Sequence, residues 1–171
     1  GIFNTPGLTE ALIDVANGAD VPVIVDPKGK NWERYSGAAC LTPNTAEFEH
    51  VIGAPLGEDM ALIDAMQSLR SKYRLPNLLV TRGPLGMCLI GDDEEPRFIP
   101  SIAREVYDVS GAGDTVIATL AVGIASGQSY LDAARLANVA AGVVVSKLGT
   151  QQINALELKA AVGMNGERIN G

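Results

Sequence analysis

Apolar residues fall along this chain in two alternating patterns: short unbroken runs, and longer stretches that repeat every three or four positions. The first pattern reads as strands buried on both faces, the second as helices with one apolar side. Thr9 stands as an N-cap for a helix over Glu10 to Asn17, with Gly18 at its C′ position. Val21 to Asp26 is an apolar run before a Pro-Lys-Gly turn, and Ala38 to Leu41 is a second run ended by Thr42-Pro43; both predict buried strands. Asn44 can cap a helix that runs through Ile52 and stops at Gly53. Glu58 to Tyr73 carries Met60, Ile63, Met66 and Leu69 on one side and mostly polar residues on the other, an amphipathic helix.

Leu78 to Thr81 is a strand before an Arg-Gly-Pro turn. Met87 to Ile90 pairs with Arg97 to Ile99 across the acidic turn Asp92 to Glu95, as a hairpin. Two helices follow, from Asp114 to Ser126 closed by Gly127, and from Tyr130 to Ser146. Asn154 to Val162 reads as a short helix, and residues 164–171 as a linker or frayed tail beyond a single domain over residues 1–163. Strands alternating with helices predict an α/β layer with a mostly parallel sheet.

The stretch Asp108-Val-Ser-Gly-Ala-Gly-Asp114 changes the picture from fold to chemistry. Gly111, Ala112 and Gly113 put small residues where backbone N–H groups can point outward together, at the positive end of the helix that follows. Such a turn suits a migrating phosphoryl group, and Asp114 is placed to take a proton from its acceptor; a tight turn with an acidic first-turn residue is the plainer reading. No GxxxxGK[ST] is present, which excludes a P-loop. Gly111-Ala-Gly113-Asp-Thr-Val116 starts like a dinucleotide fingerprint, but Val116 replaces the third small residue and Asp132 falls inside a helix.

Composition narrows the partners. The chain has 171 residues, 47% of them hydrophobic, enough to bury a real core. A net charge of −7 argues against nucleic acid and against an anionic membrane surface, while leaving room for a local basic pocket. Cys40 and Cys88 lie in apolar surroundings without CxxC spacing, and His50 is the only histidine, so buried structural thiols are expected rather than a zinc site or a Cys/His pair. No apolar run approaches the roughly 18 residues that span a bilayer. The opening Gly-Ile-Phe-Asn-Thr-Pro-Gly has no signal-peptide character, and a cytoplasmic location is expected.

Four ordered segments carry a resemblance to the ribokinase-like (PfkB) carbohydrate kinases: Asp108 to Asp114, Thr42-Pro-Asn44-Thr-Ala-Glu47, Thr81-Arg-Gly83, and Ala137-Asn138-Val-Ala-Ala-Gly142. Within the family the chain is most similar to the branch that phosphorylates D-glycero-D-manno-heptose 7-phosphate. That similarity lies in Val25-Asp-Pro-Lys-Gly29, Glu33-Arg-Tyr35, Glu105-Val-Tyr-Asp108 and Gly142 to Thr150. The resemblance implies a ribokinase-like, Rossmann-type α/β layer and ATP-dependent transfer to a sugar phosphate at O1. It implies Asp114 as catalytic base, and Gly111, Ala112 and Gly113 as the anion hole.

By the same resemblance Asn44, Glu47, Thr81, Gly83 and Asn138 lie by the nucleotide, while Lys28, after a strand-ending Asp-Pro at the carboxyl edge of a parallel sheet, is placed to offset phosphate charge. Glu47 organises Mg²⁺ through water, and Asp108 with Ser110 belongs to a loop for a monovalent cation such as K⁺. Each position has a structural alternative. Asn44 and Glu47 have capping-box spacing, Lys28 can be a solvated loop cation, and Thr81 and Gly83 an ordinary strand-to-turn step. Asn138 can be a solvent-facing helix residue, and Asp108 a loop-stabilising carboxylate.

The family's N-terminal half has no counterpart here: its first glycine-rich signature, much of the sugar pocket and the β-lid are missing. The expectation is a truncated layer, inactive alone, from a longer protein or a shortened gene product. An exposed sheet edge would favour a homo-oligomer. A fused nucleotidyltransferase domain after Gly171, as in bifunctional relatives, fits the heptose branch. Other readings are a different sugar kinase, such as a ribokinase or fructokinase, and a non-catalytic nucleotide-binding fragment.

Overall fold

The computed structural model describes residues 5, 7–93, 95–103, 108–147 and 151–169. Its elements run α1 (Leu8–Gly18), β1 (Ile24–Val25), β2 (Cys40–Leu41), α2 (Thr45–Ile52), α3 (Asp59–Tyr73), β3 (Asn77–Thr81), β4 (Met87–Ile90), β5 (Pro96–Ile99), α4 (Ala112–Ala125), α5 (Tyr130–Val145) and α6 (Ala155–Ile169). The five strands form one sheet in the order β1-β2-β3-β4-β5. β1, β2 and β3 pair in parallel, with Ile24 opposite Cys40 and Cys40 opposite Asn77. Residues 82–86 and 91–95 are the only links from β3 to β4 and from β4 to β5, too short for parallel crossovers, so this side of the sheet is hairpin-like. The sheet is therefore mixed, with its parallel part confined to the first three strands.

The chain divides into two compact units, Gly1–Arg82 with Cys88–Arg97, and Gly83–Met87 with Phe98–Gly171. The first unit has a core of Ile13, Trp32, Phe48, Leu62, Met66, Leu78 and Ile90. Cys40 and Cys88 are buried and unbridged in it. Burial pushes the Cys40 thiol up to about 12 and, with smaller effects from Arg82 and Asp59, the Cys88 thiol up to about 11, so both stay protonated hydrophobes.

In the second unit α4 and α5 approach through small residues. A Cβ on Gly123 would lie 2.7 Å from the Cβ of Ala133, and Ala133, Ala134 and Ala137 are fully buried. Among the described residues, no helix is long and apolar enough to cross a membrane.

Several predicted boundaries move, each for a local reason. Thr9 lies inside α1, whose N-cap is Gly7 in the left-handed region at φ 76°, a conformation glycine adopts without strain. Val21 donates its N–H to Ala16 O and is exposed, so only Ile24–Val25 of the apolar run joins the sheet. The buried side of α3 is Leu62, Met66, Leu69 and Tyr73, with Ile63 packed partly buried against the same core; of the predicted stripe only Met60 is exposed. Glu58 is the N-cap of that helix rather than its first turn. α6 continues to Ile169, well past the Val162 predicted as its end and into the segment expected to be a tail.

Gly86 is the most constrained glycine in the second unit. It adopts φ 85°, and a Cβ there would lie 2.0 Å from Ile99 O and 2.5 Å from Ser101 N. Backbone meets backbone at this point, so nothing can give way. Gly86→Ala should destabilise the protein by about 3 kcal/mol or more, read from the midpoint of urea unfolding. A loss under about 0.5 kcal/mol, the range of an ordinary surface change, would contradict this packing.

Candidate active site

Strand ends in the first unit bring the polar residues together. The parallel ladder continues past β1 and β2: Thr42 N–H donates to Val25 O at 2.9 Å, Thr81 N–H to Pro43 O at 2.9 Å, and Asn44 bridges to Thr81. The Thr45 hydroxyl adds a bond to Thr81 O at 3.2 Å. Asp26, Asn44 and Thr81 thus emerge at the carboxyl ends of three adjacent parallel strands, where ligands of open α/β sheets collect.

Asn44 and Glu47 form a complete capping box. The Asn44 side chain accepts Glu47 N–H at 2.9 Å, and Glu47 Oε2 accepts Asn44 N–H at 3.0 Å. The other Glu47 oxygen faces Lys28, whose Nζ is 2.5 Å from Oε1 and 2.9 Å from Asp26 Oδ2. Partial burial works against the ammonium charge, yet hydrogen bonds to Glu47 and Asp26, with the charges behind them, outweigh it and hold the Lys28 pKa above its ordinary value. The loop carrying Lys28 is tied down by Trp32 Nε1, which donates to Gly29 O at 3.1 Å, and by the Tyr35 hydroxyl, which accepts Lys28 N–H at 3.2 Å. The capping of α2 therefore engages one Glu47 oxygen and leaves the other to Lys28.

The glycine-rich turn lies in the second unit. Gly111 is the N-cap of α4 at φ 79°, and its carbonyl accepts both the Thr115 N–H at 2.9 Å and the Thr115 hydroxyl at 2.8 Å. Ala112 N–H turns back to Val109 O at 3.2 Å, so it is not one of the outward donors. The N–H groups of Gly113 and Asp114 have no acceptor among the described residues, and both residues are exposed. A Cβ on Gly113 would meet nothing within 4 Å, so the space beside it is open within the chain. Just upstream, Asp108 Oδ1 accepts Ser110 N–H at 2.8 Å; that bond and one with the Ser110 side chain hold the carboxyl below its ordinary value.

The structure thus groups Lys28, Asn44, Glu47 and Thr81 in one unit, and Gly111 to Asp114 with Asp108 and Ser110 in the other. Gly83 opens a short 3-10 turn at φ 55° with space where a side chain would be. Asn138 is buried in α5 and donates its amide to Pro100 O at 2.8 Å, so it is not the solvent-facing helix residue of the structural alternative. Asp26 and Tyr35 join the Lys28 cluster, though the sequence segments that contain them assign neither a role. A carboxylate two positions before Lys28, at a strand end, was the available signal for Asp26. Nothing in the spacing marks Tyr35, whose hydroxyl acts across the loop. Glu105, Val106 and Tyr107 and residues 148–150, which carry part of the finer resemblance, lie outside the described residues.

Parallel strand ends dressed with Asn, Glu and Lys, and a helix opened by a glycine turn, are the furniture of a phosphate-handling α/β layer. The chain belongs to the pfkB family of carbohydrate kinases, whose model matches residues 6–157. It is 50% identical over 153 residues to the bifunctional protein HldE of Vibrio vulnificus, a match covering 90% of this chain and 32% of that protein. With the bifunctional protein HldE of Trichlorobacter lovleyi it shares 46% identity over 160 residues, 94% of this chain and 33% of that one.

Among solved structures, Arabidopsis thaliana ribokinase complexed with ribose and ATP superposes with a TM-score of 0.82 at 26% identity, covering 91% of this chain and 52% of that one. Phosphofructokinase-2 from Escherichia coli in complex with potassium gives 0.81 at 17% identity, with 92% and 52% covered, and so shares the fold. The chain spans about a third of the length of the curated relatives it matches.

Because the folded Asp108 pKa is depressed, its bond to Ser110 adds stability above the unfolded pKa, and that contribution is lost as pH falls through the folded value. The Ser110 amide resonance, followed through an acid titration, should therefore report a midpoint below 3.8, the carboxyl's ordinary value. A midpoint at or above that value would mean the carboxylate does not hold this turn.

Proposed function

We propose that the chain carries the nucleotide-binding and phosphoryl-transfer side of an ATP-dependent sugar kinase. The proposed acceptor is O1 of D-glycero-D-manno-heptose 7-phosphate, giving the 1,7-bisphosphate, a precursor of lipopolysaccharide heptose. One observation carries the reading of the site: the Gly111–Asp114 turn leaves two unengaged N–H donors and a carboxylate exposed at the positive end of α4. Family membership supports the class of reaction, and the similarity to bifunctional HldE proteins, together with the Val25–Gly29 and Glu33–Tyr35 segments, supports the heptose.

In this reading the Gly113 and Asp114 N–H groups hold the oxygens of the transferring phosphoryl group, with Gly111 shaping the turn and Ala112 spanning it. Asp114 accepts the O1 proton as that oxygen's electron pair forms the new O–P bond and ADP departs. Asn44, Thr81 and Gly83 flank the nucleotide phosphates. Among the described residues, no cluster of three or more His, Cys, Asp or Glu could hold a metal alone. Glu47 and Asp26 offer hard carboxylate oxygens in the small number that a nucleotide-bound Mg²⁺ takes from protein, so the residues fit.

Magnesium would supply charge neutralisation on the phosphates, and Glu47 would hold it through water. Asp108 and the Ser110 carbonyl would hold K⁺ beside the turn. A fused nucleotidyltransferase domain and a homo-oligomeric assembly belong to the same proposal, as does a cytoplasmic location.

Two substitutions separate chemistry from binding in the full-length protein. Asp114→Asn should lower kcat by roughly 10²–10⁴ in a coupled ADP-release assay with heptose 7-phosphate, with ATP affinity within a few-fold of the parent. Near-normal turnover would remove Asp114 from the mechanism. Gly113→Ala should keep stability or raise it by up to about 1 kcal/mol, since alanine suits a helix better and meets no neighbour. Its Mg-ATP affinity by calorimetry should nevertheless fall several-fold, because the new methyl stands in the space the donors face. Unchanged affinity would place the phosphates elsewhere.

A further inference from the structure

One ammonium and two carboxylates meet at the strand ends of the first unit. Lys28 Nζ bridges Glu47 Oε1 at 2.5 Å and Asp26 Oδ2 at 2.9 Å. Those two oxygens are therefore no more than 5.4 Å apart, the sum of the two distances. Glu47 is oriented from behind by Asn44 N–H, which holds Oε2 at 3.0 Å. The backbone of the Lys28 loop is fixed independently of the ammonium, through Tyr35 and Trp32. The Lys28 side chain is 62% exposed, a flexible stem on an anchored base.

We propose that the Lys28 ammonium holds the place of the divalent cation. It keeps Asp26 and Glu47 together in the nucleotide-free protein, and is exchanged for magnesium when Mg-nucleotide binds. The inference rests on the reading that Glu47 organises magnesium, and adds to it a competitor and a second carboxylate. Two carboxylates this close repel one another unless a cation lies between them. An ion whose own oxygens sit at about 2.0–2.1 Å, with water completing its shell, can share the same pair.

The ammonium and the ion cannot both occupy the gap, so arrival of the ion releases Lys28. A compact charge on a four-carbon stem can then move to the incoming phosphates without any change in backbone. Lys28 is thus a positioning residue with two opposed effects: it weakens binding of the bare metal and strengthens binding of the metal-nucleotide.

The test uses Mn²⁺ alone and Mg-ATP as probes, with folding of each variant checked by circular dichroism. Lys28→Met should bind Mn²⁺, without nucleotide, roughly tenfold more tightly than the parent, a coupling ordinary for contacting charges. It should bind Mg-ATP several-fold more weakly, and Lys28→Arg should return both values towards the parent. Unchanged, weaker or unmeasurable Mn²⁺ binding by Lys28→Met overturns the proposal.

A second measurement needs no variant. Acetylation of Lys28 in the parent protein, quantified by mass spectrometry at constant ionic strength, should speed up several-fold at Mg²⁺ concentrations that displace bound Mn²⁺ and so fill the bare-metal site. An unaltered rate also overturns the proposal. Glu47→Gln separates the two levels. If it leaves Mg-ATP affinity intact, the magnesium reading itself falls; if it weakens Mg-ATP while Lys28→Met changes nothing, only the exchange falls.

Discussion

Because Val25 stands opposite Leu41, and Leu41 opposite Leu78, the three parallel strands deliver their carboxyl ends in step. The same register carries on through the Asn44–Thr81 bridge, so the first residues of α2 are placed by sheet hydrogen bonds rather than by loop preference. Strands of two residues have little pairing of their own, and the buried side chains of Leu41, Leu78 and Val80 supply the remaining hold. A slip of one residue between β2 and β3 would force side chains buried on both faces of the sheet to repack and carry Asn44 away from Thr81. The polar cluster of Asp26, Lys28 and Glu47 exists because that register does.

The second unit solves a different problem, which is to present a turn whose donors stay unsatisfied. Gly111 can adopt the left-handed conformation, and Thr115 closes the first turn twice onto its carbonyl, so the helix begins firmly where its outward N–H groups are left open. Behind the turn, Gly123 allows α4 to lie against the alanines of α5. Asn138 fastens α5 to Pro100, and Gly86 permits its own backbone to touch Ile99. Rigidity there comes from close backbone approach more than from large side chains.

The parts legible in the sequence are those set by local rules. The α2 capping box, the Gly53 stop and the Gly111 turn follow from residue type and spacing over a few positions, and each occurs where the pattern puts it. The amphipathic stripe of α3 was legible as a helix and in phase at Ile63, Met66 and Leu69, but not at Met60. Met60 and Leu62 are both apolar, and only the packing of the rest of the unit decides which turns inward. Asn138 shows the same limit from the other side, since its partner Pro100 is distant in the chain and no spacing rule points to it. Asp26 and Tyr35 act through a lysine and a loop, so their part in the site becomes visible only with the contacts.

In the proposed function the strand ends of the first unit, organised by parallel pairing, receive a magnesium-bound nucleotide. Amide chemical shifts recorded while a non-hydrolysable Mg-ATP analogue is titrated into the protein test it most directly. The amides of Asn44, Glu47 and Thr81 should shift along one saturable curve, while those of α3 stay in place. Saturable binding that leaves Asn44, Glu47 and Thr81 unmoved would contradict it.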